Sequence, residues 1–273
     1  MLFRSNDTAT TEIYTGWYTL SLHDALPISG AAEKPAAAFT PEQEARIGEI
    51  AKDYLLAHPE VLVEVSQKLQ AQQQEKQKQA MSAAVIENQT ALLNDQGTPS
   101  YGPADAKVTV IEFFDYQCIY CARFAPELET VIKANPGVRF VFKEFPIFGE
   151  RWPASLSATK TGLQVWKQKG ADTYLNYHNA IYVTGHNEGK LTDADISTAA
   201  NAVKFDAKTA PDVQETLEGI NALAQQLGFS GTPALVVLPS TGASADNVTV
   251  IPGYTSAEAL QQAINHAAGD TKK

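Results

Sequence analysis

Two cysteines are all that this 273-residue sequence contains, and they lie three positions apart, at Cys118 and Cys121. That scarcity excludes most structural uses of cysteine. A structural zinc site takes four ligands, commonly as two such pairs, and His58, His178, His186 and His266 sit far from the pair at no ligand spacing. A disulfide-stapled scaffold is a small domain with several bridges, and one loop this short would constrain little. Basic charge is also scarce: 21 Lys and Arg against 31 Asp and Glu leave a net charge of -10. With no basic excess to neutralise phosphates, nucleic acid is not an expected partner. No apolar run approaches the roughly 20 residues of a membrane-spanning helix, so the chain reads as soluble. A lone CxxC in a long chain without other thiols reads as a reactive pair, and the missing bystander thiols fit an oxidising compartment.

The start of the chain lacks what an exported protein carries. Residues 1–29, MLFRSNDTATTEIYTGWYTLSLHDALPIS, have no basic segment followed by an apolar stretch and a small-residue cleavage site. The run LSLHDALPIS resembles translated sequencing-adapter DNA. We expect the segment to stand in place of a native signal sequence, a disordered tail being the alternative. Its Arg4, Asp7, Glu12 and Asp24 add -2 to the net charge. Residues 30–38 are an Ala-rich linker.

Residues 39–94 form a helical extension. Thr40, Pro41 and Gln43 supply an N-cap, a proline at the first helical position and a capping-box partner. Ile47, Ile50, Ala51, Tyr54 and Leu55 recur at helical spacing, and His58-Pro59 ends the helix. A second helix is predicted from near Pro59 to about Leu93. Its apolar positions Leu62, Val65 and Leu69 give way to QAQQQEKQKQ (70–79), then resume at Met81, Val85 and Leu92. A helix polar all round bridges solvent, so the extension reads as an oligomerisation stalk, with an arm folded back on its own domain as the alternative. The Gly/Pro-rich residues 95–107 read as a hinge.

The run Val108–Phe114 is β-branched and aromatic, a buried strand. Asp115-Tyr116-Gln117 turns into Cys118-Ile119-Tyr120-Cys121, which opens a helix to about Ala134, kinked at Pro126. Val138–Phe145 is the next strand. A strand, a turn, a CxxC at a helix start and a further strand make the thioredoxin-like half-motif, which a bare CxxC would not. Attack on a disulfide needs a thiolate. The unsatisfied N–H groups and macrodipole of a helix N-terminus favour one at Cys118, expected to be exposed. Cys121, one turn on, is placed to resolve the mixed disulfide. Far along the chain, Thr232-Pro233 precedes the strand ALVVL (234–238), where a proline is allowed; taken with the upstream CxxC helix, which makes the pair resemble thioredoxin-like proteins, a cis bond is expected there. Residues 247–252 form another strand, and Ser256 caps a last helix to about Ala268. Residues 150–228 are helical by pattern: 154–169, 172–183, 192–203 and 210–227. The fold class is therefore α/β: a thioredoxin-like domain over 108–149 and 229–268, a helical insertion over 150–228, and an N-terminal helical extension.

VIEFFDYQCIYC, VFKEFPI and GTPALVV resemble the DsbA family, in which helices interrupt a thioredoxin fold. They and FTPEQEARIGEIAKDYLLAHPEVLVEV are most similar to its suppressor-of-copper-sensitivity protein C (ScsC) group. The resemblance covers about residues 39–268. It implies a periplasmic disulfide isomerase or reductase linked to copper tolerance, with no cofactor beyond its redox-active disulfide. It further implies cysteine-containing periplasmic proteins as substrates, a membrane thiol–disulfide reductase as partner, and a homotrimer, with a dimer or monomer as alternatives. By position it makes Thr232 and Pro233 substrate-binding, and Ile119 and Tyr120 the dipeptide that tunes redox potential; Ile119 departs from the proline frequent there. Glu112 and Lys143 would assist proton movement, a simple cross-strand pair being the alternative. His178 and His186 read as surface or capping residues. A DsbA-like dithiol oxidase is the second function, and Cu(I) held by Cys118 and Cys121 the third, thiolates suiting that soft ion.

Overall fold

The computed structural model describes residues 38–269; the expectations for residues 1–29, and all but the last residue of the linker, lie outside them. In chain order the elements are α1 (Pro41–Ala57), α2 (Glu60–Glu87), α3 (Gln89–Leu93), β1 (Ser100–Tyr101), β2 (Val108–Phe114), α4 (Ile119–Ala134), β3 (Arg139–Glu144), α5 (Pro153–Lys169), α6 (Ala171–Val183), α7 (Asp193–Ala202), a 3-10 turn (Ala207–Thr209), α8 (Gln214–Gln226), β4 (Ala234–Pro239), β5 (Thr249–Pro252) and α9 (Ala257–Ala268).

The chain divides into two units, one ending at Glu64 and the other beginning at Val65. In the first, α1 starts as its sequence dictates: Thr40 and Gln43 form a reciprocal capping box, with the Thr40 N–H donating to Gln43 Oε1 at 2.9 Å. None of its residues is buried.

The second unit holds a mixed sheet in the order β1-β3-β2-β4-β5, with β2 and β3 parallel and the other neighbours antiparallel. β2 lies in its middle and is buried along its whole length. Side-chain alternation sends Val108, Val110 and Phe114 to one core, shared with α4, α5, α6, α7 and α9. Ile111 and Phe113 go to a second core on the opposite face, closed by α8 together with Met81, Val85, Leu92 and Leu93. The helices between β3 and β4 thus form the expected insertion but serve both faces of the sheet.

Two differences from the sequence reading have clear causes. The resumed apolar spacing after the polar run is a docking face, so the last turns of α2 belong to the catalytic body and not to a free extension. The 95–107 segment is more than a hinge: Ser100 and Tyr101 pair antiparallel with Val141 and Phe140 and add an edge strand, too short for a periodicity to show. Pro126 lies inside α4 without interrupting it.

Candidate active site

Cys118 is the N-cap of α4, with extended backbone (φ -78°, ψ 120°). The turn that delivers it is closed by its own N–H donating to the Asp115 carbonyl at 3.0 Å. Across the cleft its thiol donates to the Thr232 carbonyl at 3.2 Å, and the Thr232–Pro233 peptide bond is cis. The sequence brings these together from 114 residues apart. Cys118 is less open than expected, with only 4% of its surface exposed, because the Thr232 loop lies over it. Tyr120, by contrast, projects into solvent with Arg123 stacked over its ring, while Ile119 is half-buried.

The two thiols are free and are driven apart electrostatically. Hydrogen bonding by the Cys121 thiol lowers the Cys118 pKa to about 6, against the opposing effect of burial; bonds from Thr232 and from the backbone at Cys121 and Tyr120 add to the lowering. Burial pushes Cys121 up, and the Cys118 charge reinforces this. One sulfur is therefore a nucleophile at neutral pH and the other a protonated thiol in reserve, the division of labour that exchange requires.

Glu112 reaches the same face of β2 as the thiols. Burial lifts its pKa to about 8, and the negative charge of Cys118 adds to the rise. Its Oε2 is buried and finds no hydrogen-bond partner among the described residues. Lys143 does not join it. In the parallel register Glu112 stands opposite Phe142, and Lys143 stands opposite Phe113, so the two side chains leave opposite faces of the sheet. Fully buried, Lys143 Nζ instead donates to Asp95 Oδ2 at 2.5 Å on the far side. The register corrects the cross-strand contact and takes Lys143 away from the thiols, while Glu112 keeps the buried position beside them.

Several residues that sequence reasoning passed over hold the site in place. Asp115, read only as a turn residue, accepts hydrogen bonds from the N–H groups of Gln117 and Phe148 at 2.8 and 2.9 Å and from the Ser155 hydroxyl at 2.8 Å. Gln117, immediately before Cys118, is fully buried; its carbonyl accepts from the Glu188 N–H at 2.9 Å and its Oε1 from the Gly189 N–H at 2.8 Å. Gly189 has φ 88°, and a side chain there would collide with the Trp152 indole. The insertion thus grips the turn that carries the nucleophile. Beneath it Glu144 is fully buried, accepts from the Tyr116 hydroxyl at 3.3 Å, and has its pKa pushed well up by desolvation. His178 corrects the surface reading: it is buried among Phe114, Tyr116, Tyr174 and Tyr182, and burial lowers its pKa to about 4. His186 is exposed, 2.9 Å from Asp195. Among the described residues no group of three or more His, Cys, Asp or Glu is arranged to hold a metal ion.

The chain matches two family models: the copper resistance protein ScsC N-terminal domain over residues 43–76 and thioredoxin over residues 94–240. Among solved structures it is similar to BcfH of Salmonella enterica Typhimurium, 45% identical over 83% of this chain and 96% of that one, with a TM-score of 0.73. It is also similar to a Proteus mirabilis ScsC carrying a linker deletion and an N6K mutation (27% identity, 86% and 100% coverage, TM-score 0.61). A periplasmic thioredoxin-like protein from Salmonella enterica serovar Typhimurium is 26% identical, with 66% and 95% coverage and a TM-score of 0.57. The curated relatives are Na+/H+ antiporters NhaA of Salinispora tropica and Salinispora arenicola, 24% and 23% identical over 142 residues. The chain spans 21% of their length. None of its described helices is long and apolar enough to cross a membrane. With the CxxC seated at a helix start, the Thr232-Pro233 loop across from it and a thioredoxin match over more than half its length, the chain belongs to the thioredoxin-like thiol–disulfide oxidoreductases and is similar to BcfH and ScsC among them.

Proposed function

We propose that the protein is a disulfide isomerase and reductase for cysteine-containing proteins of the periplasm, linked to copper tolerance and assembled as a homotrimer through its N-terminal helices. The observation that carries this reading is α1, whose apolar stripe of Ile47, Ile50, Tyr54 and Leu55 is exposed along its whole length. An exposed apolar stripe at helical spacing is satisfied by copies of itself. Such an assembly holds several CxxC sites around one misfolded client.

The chemistry follows from the two pKa values. The Cys118 thiolate attacks a client disulfide, forming a mixed disulfide and releasing one client thiolate. If a second client thiolate then attacks that bond, Cys118 is released as thiolate and the client is rearranged without net oxidation. If Cys121 attacks Cys118 instead, the client leaves reduced by two electrons, and the enzyme holds the disulfide. In that branch the negative charge of Cys118 has gone into the mixed disulfide, its share of the rise in the Glu112 pKa is removed, and Glu112 in its ionised form takes the proton that Cys121 gives up. A membrane thiol–disulfide reductase then returns the two electrons. Thr232 and Pro233 border the attacked sulfur and contact the client.

Ultracentrifugation and refolding of scrambled ribonuclease test this on the full chain. Ile50→Asp combined with Tyr54→Asp is expected to yield a monomer that keeps thiol reactivity and loses isomerase activity. A monomeric wild type, or a monomeric variant with full isomerase activity, refutes it. A pair found mostly oxidised in the periplasm would favour a dithiol oxidase, and Cu(I) binding abolished by Cys118→Ser a sequestering role.

A further inference from the structure

Residues 77–87 of α2 lie outside both matched families, beyond residue 76 and before residue 94, yet they border the active site. A cavity of about 380 Å³ runs from Thr232 and Pro233 along Phe229, Ser230 and Gly231, and its far wall is Gln77 and Met81 of α2. It shares Gln77, Met81 and Pro252 with a second cavity of about 310 Å³, lined also by Gln74, Lys78 and Val250 of β5, the edge strand. Met81 fixes the wall: it is buried in the second core with Val85, so this stretch of helix is anchored beside the sheet edge.

We propose that this groove is a client-binding subsite, taking an extended polypeptide segment on one side of the client cysteine. The proposal rests on the oxidoreductase reading above. Three observations select that occupant. A chain joined to Cys118 by a disulfide must pass Thr232, whose carbonyl lies 3.2 Å from the sulfur, and the groove opens at that residue. The floor is apolar (Phe229, Pro233, Ala234) and meets Met81 of the wall, suited to side chains that an unfolded client exposes. The wall carries the amides of Gln74 and Gln77, each both donor and acceptor, which match backbone N–H and C=O without reading sequence. The two volumes fall at the size of a pocket that seats a small ligand, and together they accommodate a few residues of extended chain. The arm therefore contributes to recognition within its own protomer, a task separate from holding copies together.

The test compares two substrates on the full-length reduced protein: a short peptide carrying a mixed disulfide, and a small aromatic disulfide too small to reach α2. Gln77 is exposed, so Gln77→Trp fills the groove without entering the core. It is expected to lower the ratio of kcat/KM for the peptide to that for the small disulfide about tenfold, the order of a lost packing and hydrogen-bonding contact. Lys76→Trp, one residue away and outside the groove lining, serves as control and leaves the ratio where it was. An unchanged ratio in Gln77→Trp, or an equal fall in Lys76→Trp, overturns the subsite. Wild-type turnover of the small disulfide tests the oxidoreductase reading separately.

Discussion

Replacing Glu112 by glutamine should stabilise this protein, and by an amount that depends on pH in a way set by the site. Glu112 is buried beneath the thiols, one of its oxygens without a partner. Its pKa stands at about 8 in the folded chain against an ordinary 4.5. Because the folded value is the higher one, its contribution is fully present below about pH 4.5 and is lost as pH rises towards 8. Over that window the unfolded chain sheds a proton that the folded chain keeps, costing about 1.4 kcal/mol of stability per pH unit. At pH 7 the loss reaches about 3 kcal/mol. Glutamine keeps the shape and removes the ionisation.

Urea unfolding of reduced wild type and Glu112→Gln at successive pH values reads this directly. The two are expected to be similar near pH 4 and to diverge by about 3 kcal/mol at pH 7, with no further divergence above about 8. Part of the raised pKa comes from the Cys118 charge, so oxidising the pair should narrow the gap. The same variant should resolve the mixed disulfide slowly while forming it at the wild-type rate. A stability difference that stays flat between pH 5 and 8 refutes the raised pKa of Glu112, and with it a carboxylate basic enough to take the Cys121 proton.

Three further outcomes follow from the geometry. Alkylation of Cys118 in the reduced protein should rise with pH and reach half its maximum near pH 6, because the thiolate is the reacting form; a midpoint above 8 would contradict the stabilisation by Cys121 and the helix start. Lys143→Met should cost about 3 kcal/mol by leaving Asp95 unpaired, the low end for a buried pair since Asp95 is 32% exposed. It should leave the Cys118 alkylation midpoint in place, whereas a shift would return Lys143 to the site. Gly162→Ala, in the interior of α5, would ordinarily stabilise a helix by up to about 1 kcal/mol, but here the new methyl collides with Glu144 Oε1. We expect a loss of about 2 kcal/mol in thermal or urea unfolding, and a gain would mean that the Glu144 cage yields.

What the sequence made legible was local. A capping box, a strand of β-branched residues and a CxxC at a helix start are each contained in a dozen positions, and all three stand where their residues place them. What it hid depended on register and on distance. Glu112 and Lys143 are both buried strand residues, and whether they meet is decided by a one-residue offset that flips a side chain through the sheet. The pattern of either strand alone is the same in both cases. Asp115 and Gln117 looked like turn residues because their partners lie 33 to 72 positions away, at Phe148 and in the helical insertion that follows it. His178 looked like a surface residue because YLNYHNAIY offers polar and aromatic groups in equal measure, and only the packing of α6 on Phe114 and Phe142 takes its ring out of water. These hidden contacts converge on one consequence. The thioredoxin motif supplies a nucleophile at a helix start, but in this chain the turn before it is held by Asp115 and Gln117 to the insertion, through Ser155 and the Glu188–Gly189 loop. The acidity of Cys118 depends on how that turn presents it to the first turn of α4, whose N–H groups at Tyr120 and Cys121 help hold the thiolate. The insertion is thus part of the machinery that sets the thiol chemistry and not only a cover over the sheet.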